Sequence, residues 1–183
     1  MSAKTMTPTT AVSDNTVGAV AWANPGNATV ADDSKATATL LLGQQTEYLK
    51  ATGFGFEIPL DATILGLQVD VEASGTVISA VQDVEVRVCR AGTPVGDVKT
   101  VGGFWATIDT VRSYGSAADL WGTTWTPADV NASTFGCAIS ASALAALTAN
   151  IDSVSMTVTW IGSNRLRRDK PMIKVGAGAS CSN

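Results

Sequence analysis

Five stretches of this chain alternate apolar and polar residues with a period of two, and that pattern constrains its fold more than any other feature. Phe54, Phe56 and Ile58 point one way, with Gly55 and Glu57 the other, and Pro59 closes the stretch. Leu67, Val69 and Val71 alternate with Gln68, Asp70 and Glu72, and Val84, Val86 and Val88 with Glu85, Arg87 and Cys89. Phe135, Cys137, Ile139 and Ala141 form a fourth set, and Val154, Met156, Val158 and Trp160 a fifth. Alternation of this kind predicts strands with one buried and one solvated face, the habit of antiparallel sheets. Two such sheets facing each other make a β-sandwich. Residues 36–42 suit a further, less regular strand. A faint echo, Phe54-Gly-Phe-Glu-Ile against Phe135-Gly-Cys-Ala-Ile, each followed by an alternating strand, favours a jelly roll with two Greek keys. Helix is confined to short pieces. Pro127-Ala-Asp-Val-Asn predicts one turn capped by Thr126, and residues 141–149 predict about two turns.

The chain has 183 residues, enough to bury a core without a metal or disulfide staple. It has no histidine, which removes Ser-His-Asp and Cys-His nucleophiles, histidine metal sites and the commonest general base near neutral pH. The three cysteines are scattered without a CxxC, and no pair of carboxylates is singled out for glycosidase chemistry. The expectation is a protein that is not an enzyme and that has no catalytic residue, metal or cofactor.

Charge divides the chain unevenly. Residues 1–164 hold seven basic and fifteen acidic side chains, a net −8, whereas residues 165–183 hold five basic groups against Asp169 alone, a net +4. Residues 1–17, polar and without period, read as an N-terminal arm; 18–162 as the sandwich; 163–183 as a basic C-terminal arm. Arg165, Arg167 and Arg168 suit bidentate pairing with carboxylates on a neighbour. Met172, Ile173 and Val175, interleaved with Lys170 and Lys174, suit a strand added to a neighbour's sheet edge. Without aromatic residues among these bases, nucleic acid is not the expected partner. No apolar run is long enough to cross a membrane, and the start lacks the apolar core of a secretion signal, so synthesis in a reducing cytoplasm is expected.

Trp121 and Trp125, close together in Asp119-Leu-Trp-Gly-Thr-Thr-Trp-Thr-Pro, have two readings. They either plug an open end of the sandwich or form a platform for sugars, and the first is favoured. Asp32, Asp33, Asp61, Asp70 and Glu72 lack the spacing of a calcium loop and read as solvated surface. Cys89 faces outward and Cys137 inward in this register, so they are not expected to pair.

Four runs carry a family resemblance: Ala21-Trp-Ala-Asn-Pro-Gly-Asn-Ala, Tyr48-Leu-Lys-Ala-Thr-Gly-Phe-Gly-Phe-Glu-Ile-Pro, Ala62-Thr-Ile-Leu-Gly-Leu-Gln-Val-Asp-Val-Glu, and Leu120-Trp-Gly-Thr-Thr-Trp-Thr-Pro-Ala-Asp-Val-Asn-Ala-Ser-Thr-Phe-Gly. As an ordered set, over roughly residues 20–161, they resemble a β-sandwich domain of structural proteins of tailed bacteriophages. The resemblance implies a virion component without enzymatic activity, a capsid decoration or cement protein foremost. Its partners would be the major capsid protein or neighbouring copies of itself, in a homo-oligomer or in many copies on the particle. The alternatives are a carbohydrate-binding or fibre module of a tail or head appendage, and a tail-tube or neck component.

Overall fold

A computed structural model describes residues 1–162, in which the alternating stretches become two antiparallel sheets packed face to face. The strands are β1 (Ser2–Met6), β2 (Thr10–Asp14), β3 (Ala36–Leu40), β4 (Tyr48–Thr52), β5 (Thr63–Gly75), β6 (Val81–Arg90), β7 (Thr93–Lys99), β8 (Thr110–Gly115), β9 (Gly136–Ala143) and β10 (Leu147–Ile161). One sheet runs β10-β5-β8, with β1 and β3 both pairing with β10; the other runs β2-β4-β9-β6-β7. From β3 to β10 the chain therefore winds as a jelly roll, the class that the alternation and the echo predicted. Leu67, Val69 and Val71 of β5 and Val154, Met156 and Val158 of β10 are fully buried at adjacent registers, facing Leu49, Val86, Val88 and Ile139 of the other sheet.

The N-terminal segment is not an arm. β1 lies along β10, with Lys4 Nζ donating to the Phe56 carbonyl at 2.7 Å and the Thr5 and Thr157 hydroxyls 2.7 Å apart. β2 lies along β4, where Lys50 pairs with Asp14 and that hydrogen bond holds the Asp14 carboxyl below its ordinary range. Both are edge strands that bury little, so Thr and Ser satisfy them and no apolar period marks them. The helical turn α1 (Pro127–Asn131) forms as expected, with Thr126 and Asp129 making a reciprocal capping box. Residues 141–149 contain no helix. Ala141 and Ala143 pair with β6 and Ala149 pairs with both β3 and β5, and this burial overrides the helix preference of alanine.

Two strand readings need correction in detail. Phe54, Phe56 and Ile58 are buried and Gly55 and Glu57 exposed, as the period says, but the segment is not a strand. Gly53, Gly55 and Glu57 take φ of 79°, 62° and 56°, so every second residue turns left-handed and the apolar side chains reach inward from a loop. Central strand β9 is buried on both faces, because Tyr48, Val17 and Cys89 cover Ala138 on the outer side. Cys89 thus occupies the opposite face from Cys137, and no disulfide forms between them, but it is covered rather than solvent-facing. Burial pushes its thiol up to about 12, and that of Cys137 well above the ordinary value.

Asp152 sits at a bulge in β10, buried, with Oδ1 lacking a hydrogen-bond partner. Burial, then the nearby charges of Glu72, Asp109 and Asp33, raise its pKa. A raised folded pKa means that ionised Asp152 destabilises the fold above that pKa, and the penalty fades as pH falls toward the ordinary carboxylate value. Asp152→Asn is therefore expected to stabilise the protein at pH 7 by about 1 kcal/mol. Paired urea melts from pH 7 to about pH 4 should show that advantage shrinking to nothing; a constant or reversed difference would refute the assignment.

Candidate docking surface at the four-loop end

A jelly roll gathers alternate connections at opposite ends. Here 41–47 (β3–β4), 76–80 (β5–β6), 100–109 (β7–β8) and 144–146 (β9–β10) meet at one end. Backbone hydrogen bonds weld them together. Gly43 N donates to Ala143 O, Leu144 N to Ala80 O and Gly75 N to Ala106 O, each at 2.8 Å, and Trp105 N to Val81 O at the same distance. The rim is thus a fused platform rather than four separate loops.

Its chemistry differs from that of the rest of the surface. Segments 41–46, 76–80, 100–108 and 144–146 contain no Asp, Glu, Lys or Arg. They expose large apolar side chains: Leu41 and Leu42 from the first, Val77 and Ile78 from the second, Val101, Phe104 and Ile108 from the third, and Leu144 from the fourth. Leu42, Ile78 and Ile108 are 71%, 77% and 74% exposed, close to what an unfolded chain would show. Apolar patches of more than a few hundred Å² are rare on monomers and mark contact sites.

The longest loop is pinned from below by a polar cluster. A register shift between Asp83 and Glu85 in β6 puts Asp83 on the inner side, whereas strict alternation would have set it outward with Glu85, and leaves Val84, expected on the apolar face, outside the core. Its side chain is fully buried and accepts from Trp105 Nε1 (2.6 Å), Tyr114 Oη (2.8 Å), Arg112 Nη2 (2.9 Å) and Val101 N (3.1 Å). Arg112 comes from β8 in the opposite sheet and also donates to the carbonyls of Val101 (2.5 Å) and Phe104 (3.3 Å). Burial, followed by the charge of Asp83, holds the Tyr114 phenol protonated far above its ordinary range. The pair ties the two sheets together and fixes the backbone of the loop that presents Phe104 and Ile108. Sequence reasoning did not single out Asp83; its signal was an acid beside a strand of valines, obscured by the bulge.

Trp121 and Trp125 belong to the other end and to the core. Trp121 is wholly buried, with Nε1 donating to Leu67 O at 2.9 Å. Trp125 is 7% exposed, donates to Leu120 O at 3.1 Å, stacks edge-on with Phe135 and is covered by the Arg90 guanidinium 4.5 Å from its ring centre. Both rings are buried, and neither presents an open face to solvent. Asp70 accepts from Gln68 and Ser113, and Glu72 from Ser153, on the outer face of their sheet. Among the described residues there is no cavity of ligand size and no group of three or more Cys, Asp or Glu placed to hold a metal. Arg165, Arg167, Arg168, Lys170, Met172, Ile173, Lys174 and Val175 lie outside the described residues.

No family model matches the sequence, and no curated protein matches it. Among solved structures, the chain is similar to the CBM36-1 domain of a multidomain xylanase from the hindgut metagenome of Trinervitermes trinervoides. The match is at 10% identity and a TM-score of 0.33, covering 88% of this chain and 99% of that one.

Proposed function

We propose that this chain is a non-enzymatic structural protein of a tailed-phage virion, a decoration or cement protein of the head shell. One observation carries the reading: the rigid, charge-free apolar platform at the four-loop end, a surface made to be covered by protein. A catalyst needs titratable or nucleophilic groups converging on a cleft, whereas this surface offers shape and apolar area only. The resemblance to phage structural proteins supplies the setting. The basic residues beyond 162 supply the grip on the shell, by pairing with its carboxylates.

Quantitative mass spectrometry of purified particles, with heads and tails separated, tests it. A copy number comparable to that of the major capsid subunit, travelling with heads, is expected. A few copies per particle, or copies found with tails, would transfer the protein to a fibre or neck and overturn the decoration role.

A further inference from the structure

We infer that the four-loop end is the face through which two copies of this chain associate, platform against platform. This rests on reading that end as a contact face, and it does not depend on the virion assignment.

Area is the first argument. The eight exposed apolar side chains amount to between four and five fully exposed large residues, on the order of 800 Å². That is the share each partner contributes to a standard stable interface.

Charge is the second. The described body carries a net −8, which repels anionic membranes and nucleic acid; toward a second copy, whose body has the same sign, the contact rests on apolar area. A partner that brought its own charged side chains onto the platform would bury them without counter-ions. The basic residues 165–174 meet the same objection, since the carboxylates of these four loops, Glu47 and Asp109, are already engaged by Ser13 and Lys35. A second copy of the same platform brings no charge, so a two-fold contact buries apolar area on both sides with no orphaned ion.

Access is the third argument. β10 starts at the platform with Leu147 and ends at Ile161, which pairs with Thr63 at the opposite end of the sandwich; Ser2 pairs with Trp160 there as well. The first and last described strands therefore meet away from the platform; Ala19 and Val20 bond to the first loop at Gln45 and Thr46, but Leu41, Leu42, Ile78 and Ile108 stay exposed. The rigidity of the rim adds to this, because a fused platform has little loop entropy to lose when it is covered.

Sedimentation equilibrium of the full chain is the test. A dimer is expected, and raising NaCl to about 1 M should leave it intact or tighten it, because no charge pair is screened at an apolar contact. Ile78→Lys should weaken dimerisation by at least about tenfold, since each member of a symmetric pair would bury an unpaired ammonium. Its circular dichroism should stay at the parental value, and its melting temperature should match the parent's at concentrations low enough for both to be monomeric, because Ile78 makes almost no internal contact. If Ile78→Lys loses its strand signature, Leu42→Ser on a different loop carries the same expectation. Hydrogen exchange of the unmodified chain gives an independent reading: amide protection that rises with concentration should be confined to 41–46, 76–80, 100–108 and 144–146.

A chain that remains monomeric up to about 100 μM would overturn the inference. So would a dimer that Ile78→Lys leaves unchanged but removal of 163–183 dissociates, or concentration-dependent protection elsewhere. Failure of the particle measurement leaves this prediction standing, and a monomer in solution leaves the virion assignment standing.

Discussion

Asp83→Ala is expected to lower the free energy of unfolding by about 3–5 kcal/mol, close to the largest loss that a single side chain in this fold can cause. The aspartate satisfies four donors at once, and its removal leaves the Arg112 guanidinium, 11% exposed as a side chain, without a counter-ion. Trp105 Nε1, Tyr114 Oη and Val101 N lose their acceptor in the same stroke, and each orphaned buried donor adds to the cost. Urea denaturation should show a lower midpoint with an unchanged slope, the mark of lost stability rather than a changed unfolded state. Pairing the change with Arg112→Met should recover part of the loss, because the remaining buried charge goes with it. If Asp83→Ala costs under about 1 kcal/mol, the cluster is not what ties the sheets together.

Gly136→Val is expected to prevent folding. Gly136 lies in β9 opposite Thr52 of β4, and a Cβ there would run into the Ala51 carbonyl, a backbone atom fixed by the ladder. Neither strand can move aside, since β9 is held by β6 on its other edge and Phe135 packs between Phe56 and Trp125. Expression should yield insoluble protein, and even Gly136→Ala should cost more than about 4 kcal/mol in a urea melt. Gly43→Ala on the platform is the matched control. Its φ of 79° strains an alanine, but nothing lies near the added carbon, so a loss of about 1 kcal/mol is expected. Equal losses at the two glycines would show that the ladder yields to the added carbon and that the approach of β4 does not set the requirement at Gly136.

The fold was legible where burial is one-sided. Leu67–Val71 and Val154–Val158 alternate in sequence because one face meets the other sheet and one meets water, and both became strands at the expected register. Legibility failed where that condition fails. β1 and β2 bury too little to leave an apolar trace, and outer-face Ala138 of β9 is covered by a tyrosine reaching over from β4. Phe54 to Ile58 mimics a strand because left-handed residues at every second position reproduce its period. Of the site, the acidic body and the basic end could be counted directly, but the platform could not be seen, since its four charge-free segments lie far apart in the chain and only the jelly-roll winding unites them. The bulge that turns Asp83 inward leaves no mark that alternation can read.

The position of β10 bears on how the molecule comes into being. β1, β3 and β5 all pair with β10, the last strand among the described residues, so a ribosome has released almost the whole sandwich before that sheet has a centre to form on. Until residues 147–151 have emerged Ala36–Leu40 lacks its β10 partner, until 156–160 have emerged so does Ser2–Met6, and before then β5 has only β8. Closure then depends on contacts between residues about 75 to 160 positions apart, an arrangement that makes folding slow and post-synthetic. In that interval the apolar strands and the uncharged loops are open together, and a nascent population would be most prone to aggregate just before β10 is complete.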